Sequence, residues 1–209
     1  MKHLVGLLLA AAVSLTGCAS SKLTTDQRAA FKHVSIGKVE LPDKPTIFGG
    51  GSGLAFLLAG PIGLSIANAG SDVPTEFKKA LERSGTDVST LLRADLATRL
   101  AQSGFEVVAD GDARANVVLE TKVLQYGLTG DIFASEPVRI PALWIRIDLK
   151  KAGTNETLWW HWASVHAKKE IADQLESRLI PDYFTDGVLL RRNYEKASAL
   201  VTEEALSKL

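Results

Sequence analysis

The second half of the chain contains the clearest alternation of apolar and polar residues. Within the run Ile140 to Lys151, every second residue from Leu143 to Leu149 is apolar and most of the residues between them are charged, which is the pattern of a strand with one face in a core. The run at 152–156 has the composition of a turn, and Thr157 to Ala167 returns as a second strand. The pattern therefore predicts an antiparallel hairpin. The residues predicted to face the core are Leu143, Ile145, Ile147 and Leu149.

Shorter apolar runs predict the remaining strands and the helices. Three more strands are predicted at 33–41, 105–109 and 116–126. Asp72 and Pro74 begin a helix that Gly85 ends, and a second helix runs from Asp87 to Ser103 with Thr86 as its cap and Gly104 after it. A short helix is predicted within 168–179. The last helix begins at Thr185 or Asp186, and its predicted buried residues are Leu190, Tyr194, Ala197, Val201 and Ala205.

The order of these elements indicates the fold class. A strand comes first, followed by an apolar insert, two helices, four strands and a final helix. Segregated strands and helices are typical of an α+β domain. We therefore predict one α+β domain over residues 33–209, with a single antiparallel-dominated sheet and helices packed on one face.

The insert at residues 46–71 is glycine-rich and apolar, and no charged residue occurs between Lys44 and Asp72. Three interpretations stay open. The insert is an apolar loop folded over the domain or a glycine-rich disordered excursion, a hairpin that dips into a membrane or binds a partner, or a second membrane span. The spacing of Gly49 and Gly53 permits close helix approach. The insert has neither a Gly-x-Gly-x-x-Gly pattern nor a Gly-Lys-Ser/Thr sequence, so a phosphate-binding loop is not predicted.

The N-terminus has the pattern of an export signal. Lys2 is followed by an apolar stretch from Leu4 to Val13, which is too short to cross a hydrocarbon core of about 30 Å. The next residues are Leu15-Thr16-Gly17-Cys18, and Cys18 is the only cysteine of the chain. This sequence resembles the lipobox of bacterial lipoproteins.

The lipoprotein resemblance implies a processed and acylated protein. Residues 1–17 would be a signal peptide, and Cys18 would carry a diacylglyceryl thioether and usually an acylated amine, which makes a membrane the first partner. Residues 18–32 are polar and are expected to form a flexible tether. No aspartate follows Cys18, which in enterobacterial-type lipoproteins favours the outer membrane, facing the periplasm.

Charge and composition exclude some classes of partner. The full chain has 24 basic and 24 acidic residues, and loss of residues 1–17 removes only Lys2, which leaves a formal charge of −1. A chain without a basic excess is not expected to bind nucleic acid. A single cysteine also rules out an intramolecular disulfide.

Four tryptophans are the most distinctive side chains of the predicted domain. Trp160 and Trp162 share one face of their strand, Trp159 and His161 share the other, and Trp144 lies on the preceding strand. Cross-strand aromatic packing explains such a cluster structurally. Exposed tryptophans would instead form a recognition surface.

No set of residues predicts an enzyme, a metal site or a cofactor. His161 and His166 lie five residues apart and point to opposite faces of a strand, and a zinc site would need His33 and distant carboxylates. Asp110 and Asp112 flank Gly111, which favours a turn over a catalytic carboxylate pair. A Gly-x-Ser-x-Gly elbow is also missing.

The late strand carries a second resemblance. Leu158-Trp159, within the predicted order of strands and helices, resembles small periplasm-facing lipoproteins that assist envelope transport or assembly, some of them auxiliaries of ABC-type transporters. This implies a non-enzymatic accessory subunit that binds other envelope components through the insert or the Trp-rich strand. Two alternatives stay open. One is a carrier for a lipid or other apolar molecule, and the other is an envelope enzyme whose acidic or histidine side chains converge in a pocket.

Overall fold

The computed structural model describes residues 23–47, 72–130 and 138–209. The predicted signal peptide at 1–17, the lipidation residue Cys18 and all of the insert except Thr46 and Ile47 lie outside the described residues.

The described residues form seven strands and six helices. The strands are β1 (His33–Glu40), β2 (Thr46–Ile47), β3 (Glu106–Val108), β4 (Val117–Thr129), β5 (Val138–Lys151), β6 (Thr157–Ser164) and β7 (Arg178–Leu179). The helices are α1 (Thr25–Ala30), α2 (Val73–Arg83), α3 (Val88–Gln102), α4 (Lys169–Ala172), α5 (Ile180–Thr185) and α6 (Gly187–Leu206). The α+β class and the predicted β5–β6 hairpin are confirmed.

The strands form one mixed sheet in the order β3-β1-β4-β5-β6, with β2 paired to β4 and β7 paired to β5. The pairs β4–β5, β5–β6 and β5–β7 are antiparallel, whereas β1–β3, β1–β4 and β2–β4 are parallel. The antiparallel-dominated sheet is therefore not confirmed. The reason is that α2 and α3 carry the chain from the end of β1 back to the start of β3, and a helical crossover of this kind makes neighbouring strands parallel.

The helices α3 and α6 cover one face of the sheet, which we call the inner face. The two helices contact each other, α3 also packs on β1 and β3, and α6 packs on β5 and β6. All four predicted core residues of β5 are fully buried on this face, and so are the predicted residues of α6. Apolar burial on this one side is what fixes the register of the hairpin, because a slip by one residue would expose the whole set.

Side-chain caps set the helix starts. Asp72 caps α2 by accepting from the backbone N–H of Thr75 at 2.7 Å. Asp87, and not the predicted Thr86, caps α3 by accepting from two backbone N–H groups. The Thr86 hydroxyl instead lies 2.7 Å from the Ser84 hydroxyl. The final helix is capped by Asp186.

The segment predicted as a flexible tether is partly helical. Thr24 and Gln27 form a reciprocal capping box at the start of α1. The preceding Leu23 is 7% exposed and belongs to the hydrophobic core. The coil interpretation of 18–32 therefore fails for Leu23 and α1, because local capping and one buried leucine stabilise a structure that the polar composition does not indicate.

The ends of the insert are joined at the edge of β4. Lys44 and Asp72 form an ion pair at 2.6 Å, and β2 pairs with Gly127 and Leu128 of β4. Gly127 has a φ of +141°, and a Cβ there would lie 1.9 Å from the Thr46 carbonyl oxygen. Glycine at 127 is what permits β2 to lie against β4.

Candidate functional site

The face of the sheet opposite α3 and α6, the outer face, carries the tryptophan cluster. In the β5–β6 register Trp144 lies opposite Ser164, Arg146 lies opposite Trp162, and Asp148 lies opposite Trp160. Side chains alternate along each strand, so Trp144, Trp160 and Trp162 all project from the outer face. The predicted division of the tryptophans between two faces is therefore confirmed.

Four apolar side chains form a patch that we call the aromatic face: Leu124, Trp144, Trp160 and Trp162. Leu124, Trp144 and Trp162 are 38%, 36% and 47% exposed, and Trp160 is half-buried. The rings of Trp144 and Trp162 meet edge to face with centroids 6.1 Å apart. Such a pair contributes roughly 0.5–1.5 kcal/mol beyond its buried area, so each ring holds the other in place.

Arg146 fixes the third ring. Its guanidinium lies 4.7 Å from the centroid of Trp160, a cation–π distance. The same guanidinium donates to Asp148 through Nε at 3.0 Å and Nη2 at 2.7 Å. These hydrogen bonds raise the pKa of Arg146, so the cation stays charged over the indole. The aromatic face is thus held by ring contacts and an ion pair before any ligand arrives.

The outer face beyond the aromatic face is charged with both signs. Lys38, Glu40, Glu120, Lys122 and Asp148 help to line a shallow cavity of about 180 Å³. Lys150 forms an ion pair with Glu120 at 2.6 Å. Since the acidic and basic groups are interspersed, this region offers no single-sign surface for a polyanion.

Trp159 has a structural role. It is 4% exposed on the inner face, and its indole Nε1 has no hydrogen-bond partner among the described residues. Its ring lies 6.0 Å from the ring of His161 on the same face. Packing in the core therefore explains Trp159, whereas the other three tryptophans lie outside the core on the outer face.

The histidines remain apart. His33 contacts Glu106 at 3.3 Å, while burial lowers the pKa of both His161 and His166. Within 23–47, 72–130 and 138–209, no three His, Cys, Asp or Glu side chains are placed to hold a metal ion.

Ser164 and His166 form the only contact in the described part that resembles a nucleophile–base pair. The Ser164 hydroxyl lies 2.9 Å from Nδ1 and 3.2 Å from Nε2 of His166. The two residues are two positions apart in a tight turn, and the serine is buried. Burial alone accounts for the lowered pKa of His166, with no carboxylate contributing. The contact therefore stabilises the turn and lacks the third group that orients a catalytic base.

Asp110 and Asp112 do not form a carboxylate pair. Gly111 has a φ of +76°, so the chain turns there as predicted. Asp112 instead accepts hydrogen bonds from the Arg114 side chain and backbone, which lower the pKa of this carboxyl to about 2. A carboxylate held ionised in this way is a poor general acid.

A second groove, of about 410 Å³, lies where α2 meets α3. Leu41, Leu81, Val88 and Tyr126 form its apolar part. Lys78, Glu82 and Asp87 line its polar part. No tryptophan lines this groove, so it is separate from the aromatic face.

Leu124 and the cation over Trp160 were not foreseen from the sequence. Leu124 follows the core residue Val123, so the alternation along β4 places it on the outer face. The register shift between Val123 and Gln125 then brings Gln125 to the same face, opposite Trp144. The position of Arg146 could have been found from the hairpin register, since it lies diagonally across from Trp160.

The membrane-span interpretation of the insert concerns residues that the structure does not describe. In the described ranges, no helix combines the length and the apolar character needed to cross a bilayer.

Comparison with known proteins gives structural likenesses only. The sequence matches no family model and no curated protein. A PelC dodecamer from Paraburkholderia phytofirmans is 11% identical with a TM-score of 0.45, covering 92% of this chain and 95% of that one. A DUF330 protein from Xanthomonas campestris is 11% identical with a TM-score of 0.44, covering 89% and 84%. A minor lipoprotein from Acinetobacter baumannii is 11% identical with a TM-score of 0.34, covering 86% and 96%. Likenesses with TM-scores below 0.5 assign neither a family nor a function to this chain.

Proposed function

We propose that this chain is a non-enzymatic, lipid-anchored lipoprotein of the bacterial envelope that binds another envelope protein through the aromatic face. Its role would be that of an accessory, assembly or transport-associated subunit. The observation that carries the proposal is an apolar patch of three tryptophans and one leucine on a sheet face whose other described residues are mostly polar or charged. Tryptophan is enriched among the residues that dominate binding energy, and apolar patches of this kind mark interaction sites.

The aromatic face is suited to binding because its side chains are preorganised. The Trp144–Trp162 contact and the Arg146–Trp160 contact restrict the rings before a partner binds. Binding therefore orders fewer side-chain rotamers on the aromatic face, and loses less side-chain entropy, than binding to a surface of mobile residues. The mixed charges beside the patch supply a polar rim, as is usual for interfaces between proteins.

The anchor supports a role close to a bilayer. If Cys18 is acylated, only residues 18–22 separate the lipid from the buried Leu23. Five extended residues span at most about 18 Å. The domain would then stay near the membrane surface, which we propose to be the periplasmic face of the outer membrane.

The carrier alternative is less well supported by the described residues. It requires an enclosed apolar pocket, whereas the three tryptophans lie on an open sheet face. The larger groove has charged residues in its wall. The non-enzymatic assignment is supported by the pairing of the candidate catalytic groups with local structural partners, as at Ser164–His166 and Asp112–Arg114.

Site-specific photocrosslinking in intact cells tests the proposal. A photoreactive residue in place of Leu124 is expected to give a discrete adduct with an envelope protein, whereas one in place of Val188, which is 75% exposed on α6, is the matched control. Adding Trp144→Ala should abolish the adduct at position 124 without reducing the amount of protein. Equal crosslinking from both positions, or an adduct that persists in Trp144→Ala, would contradict binding through the aromatic face.

Acylation is tested separately by the intact mass of the membrane-extracted protein. The expected mass is that of residues 18–209 plus a diacylglyceryl group and an amide-linked acyl chain. Cys18→Ser should remove the acyl mass and release the protein from the membrane fraction. A mature chain that starts elsewhere would overturn the anchor.

A further inference from the structure

Among the described residues, β6 is an edge strand with one unpaired side. It pairs only with β5 and ends the strand order β3-β1-β4-β5-β6. Val165, just after β6, donates its N–H to the Leu143 carbonyl at 3.1 Å, so Leu143 and Val165 form a hydrogen-bonded pair of the antiparallel ladder. Because hydrogen-bonded and non-hydrogen-bonded pairs alternate, the backbone N–H and C=O groups of Trp160 and Trp162 point to the free side.

In the described parts of the chain, the β3 edge of the sheet is protected, whereas nothing covers the backbone of the β6 edge. β3 has three residues, and its Glu106 contacts His33 and forms an ion pair with Arg114. β6 has eight residues, and from Thr157 to Ala167 the chain contains no Asp, Glu, Lys, Arg, Pro or Gly. Natural proteins shorten, charge or cover their edge strands, since a long uncharged edge is a template for another strand.

We propose that β6 pairs with β6 of a second copy of this chain, antiparallel and across a two-fold axis near His161. In this register Trp160 lies opposite Trp162 of the partner subunit, and the reverse pair forms by symmetry. The inference is independent of the proposed function, because it rests on the free backbone edge and not on the aromatic face as a binding site.

The strand is complementary to its own antiparallel copy. A centre at His161 pairs even-numbered residues with even-numbered residues, so the outward backbone groups of Trp160 meet those of Trp162 of the partner subunit. All four indoles then lie on the outer face as cross-strand aromatic pairs, which favour strand association. The uncharged run is flanked by Glu156 at one end and Lys168 at the other. Antiparallel pairing directs these opposite charges toward each other, although Lys168 also pairs with Glu204.

Matched tryptophan variants test the edge. The full chain extracted from membranes in mild detergent is expected to have the protein mass of a dimer by light scattering with correction for detergent. Trp162→Lys places a charge on the edge strand and should convert the dimer to a monomer with half the protein mass. Trp144→Lys introduces the same charge on the same face but on β5, which is already paired on both sides, and should leave the dimer intact. Circular dichroism and thermal unfolding of both variants establish that the fold is kept.

A cysteine probe tests the register. In His161→Cys the new thiols of the two copies face each other across the axis, so mild oxidation in membranes should give a disulfide-linked dimer. Val188→Cys, on α6, is the control and should stay unlinked, as should the parent chain. A monomeric parent, a dimer unaffected by Trp162→Lys, or a dimer that His161→Cys fails to link would each overturn the proposal. Loss of the photocrosslinked partner with the dimer intact would overturn the proposed function alone.

Discussion

Tyr194→Phe tests how the final helix is joined to the sheet. Tyr194 lies on α6, is fully buried, and donates its hydroxyl to the Gly127 carbonyl of β4 at 2.7 Å. Its ring lies 6.4 Å from the ring of Phe77. Phenylalanine keeps the ring and removes only the donor, so the variant isolates one hydrogen bond between the helix and the strand.

The expected cost follows from the buried acceptor. Removal of one partner of a buried hydrogen bond destabilises a protein by about 1–3 kcal/mol, because the remaining group stays desolvated. For a domain of this size, each kcal/mol lowers the unfolding temperature by about 2–4 °C.

Alkaline pH gives a second measure of the same hydroxyl. Burial raises the pKa of Tyr194 well above 10. Above about pH 10 the unfolded chain therefore loses this proton while the folded chain keeps it, and stability falls by about 1.4 kcal/mol per pH unit. Tyr194→Phe should remove this contribution to the pH dependence of stability. Burial also raises the pKa of Tyr183, so the contribution of Tyr183 should remain in this variant.

Urea unfolding followed by tryptophan fluorescence measures these changes, with Tyr126→Phe as the control. The Tyr126 hydroxyl makes no hydrogen bond within the described ranges, so its loss should change the unfolding free energy at neutral pH by less than about 0.5 kcal/mol. Burial also raises the pKa of Tyr126, so this control applies at neutral pH and not to the alkaline slope. Equal effects of Tyr126→Phe and Tyr194→Phe, or an unchanged alkaline slope in Tyr194→Phe, would refute the assigned role of this bond.

Two further predictions concern the sheet end and the histidines. Gly127→Ala should lower the free energy of unfolding in urea by more than about 2 kcal/mol, because the positive φ strains alanine and the new Cβ clashes with the Thr46 carbonyl. A decrease below about 1 kcal/mol would contradict the tight approach of β2 to β4. Burial lowers the pKa of His161 and His166, so the unfolded chain binds more protons and stability should fall as pH drops through about 6.5. Urea midpoints at about pH 7.5 and pH 5.5 check this, and equal midpoints would contradict it.

The sequence was most informative where burial imposes a period. The alternation in β5 predicted its core residues because one side of the strand meets α6. The stripe of α6 was equally clear. Two-residue strands such as β2 and β7 have no period to detect. The sequence also did not predict that β1 pairs in parallel with its neighbours, because alternation assigns side chains to faces and does not specify the direction of the neighbouring strand.

The candidate site was only partly predictable. Strand periodicity assigned Trp160 and Trp162 to one face, but their exposure depends on the absence of a covering helix from the described part of that side. The contact between Arg146 and Trp160 requires the register of two strands, which local patterns do not supply. Alternation along β4 places Leu124 on the outer face, but its position beside Trp144 requires the β4–β5 register.

The unequal strand lengths divide the sheet into two regions of different cohesion. β4 and β5 form a continuous central ribbon. β1 and β2 pair with different parts of β4, and β6 and β7 pair with different parts of β5. Among the described residues, two residue pairs join β2 to β4 and two join β7 to β5. Local opening at that end breaks few bonds, so amide protons of β2 and β7 should exchange with solvent well before those of the ribbon. We therefore expect a persistent central scaffold whose one end opens without global unfolding.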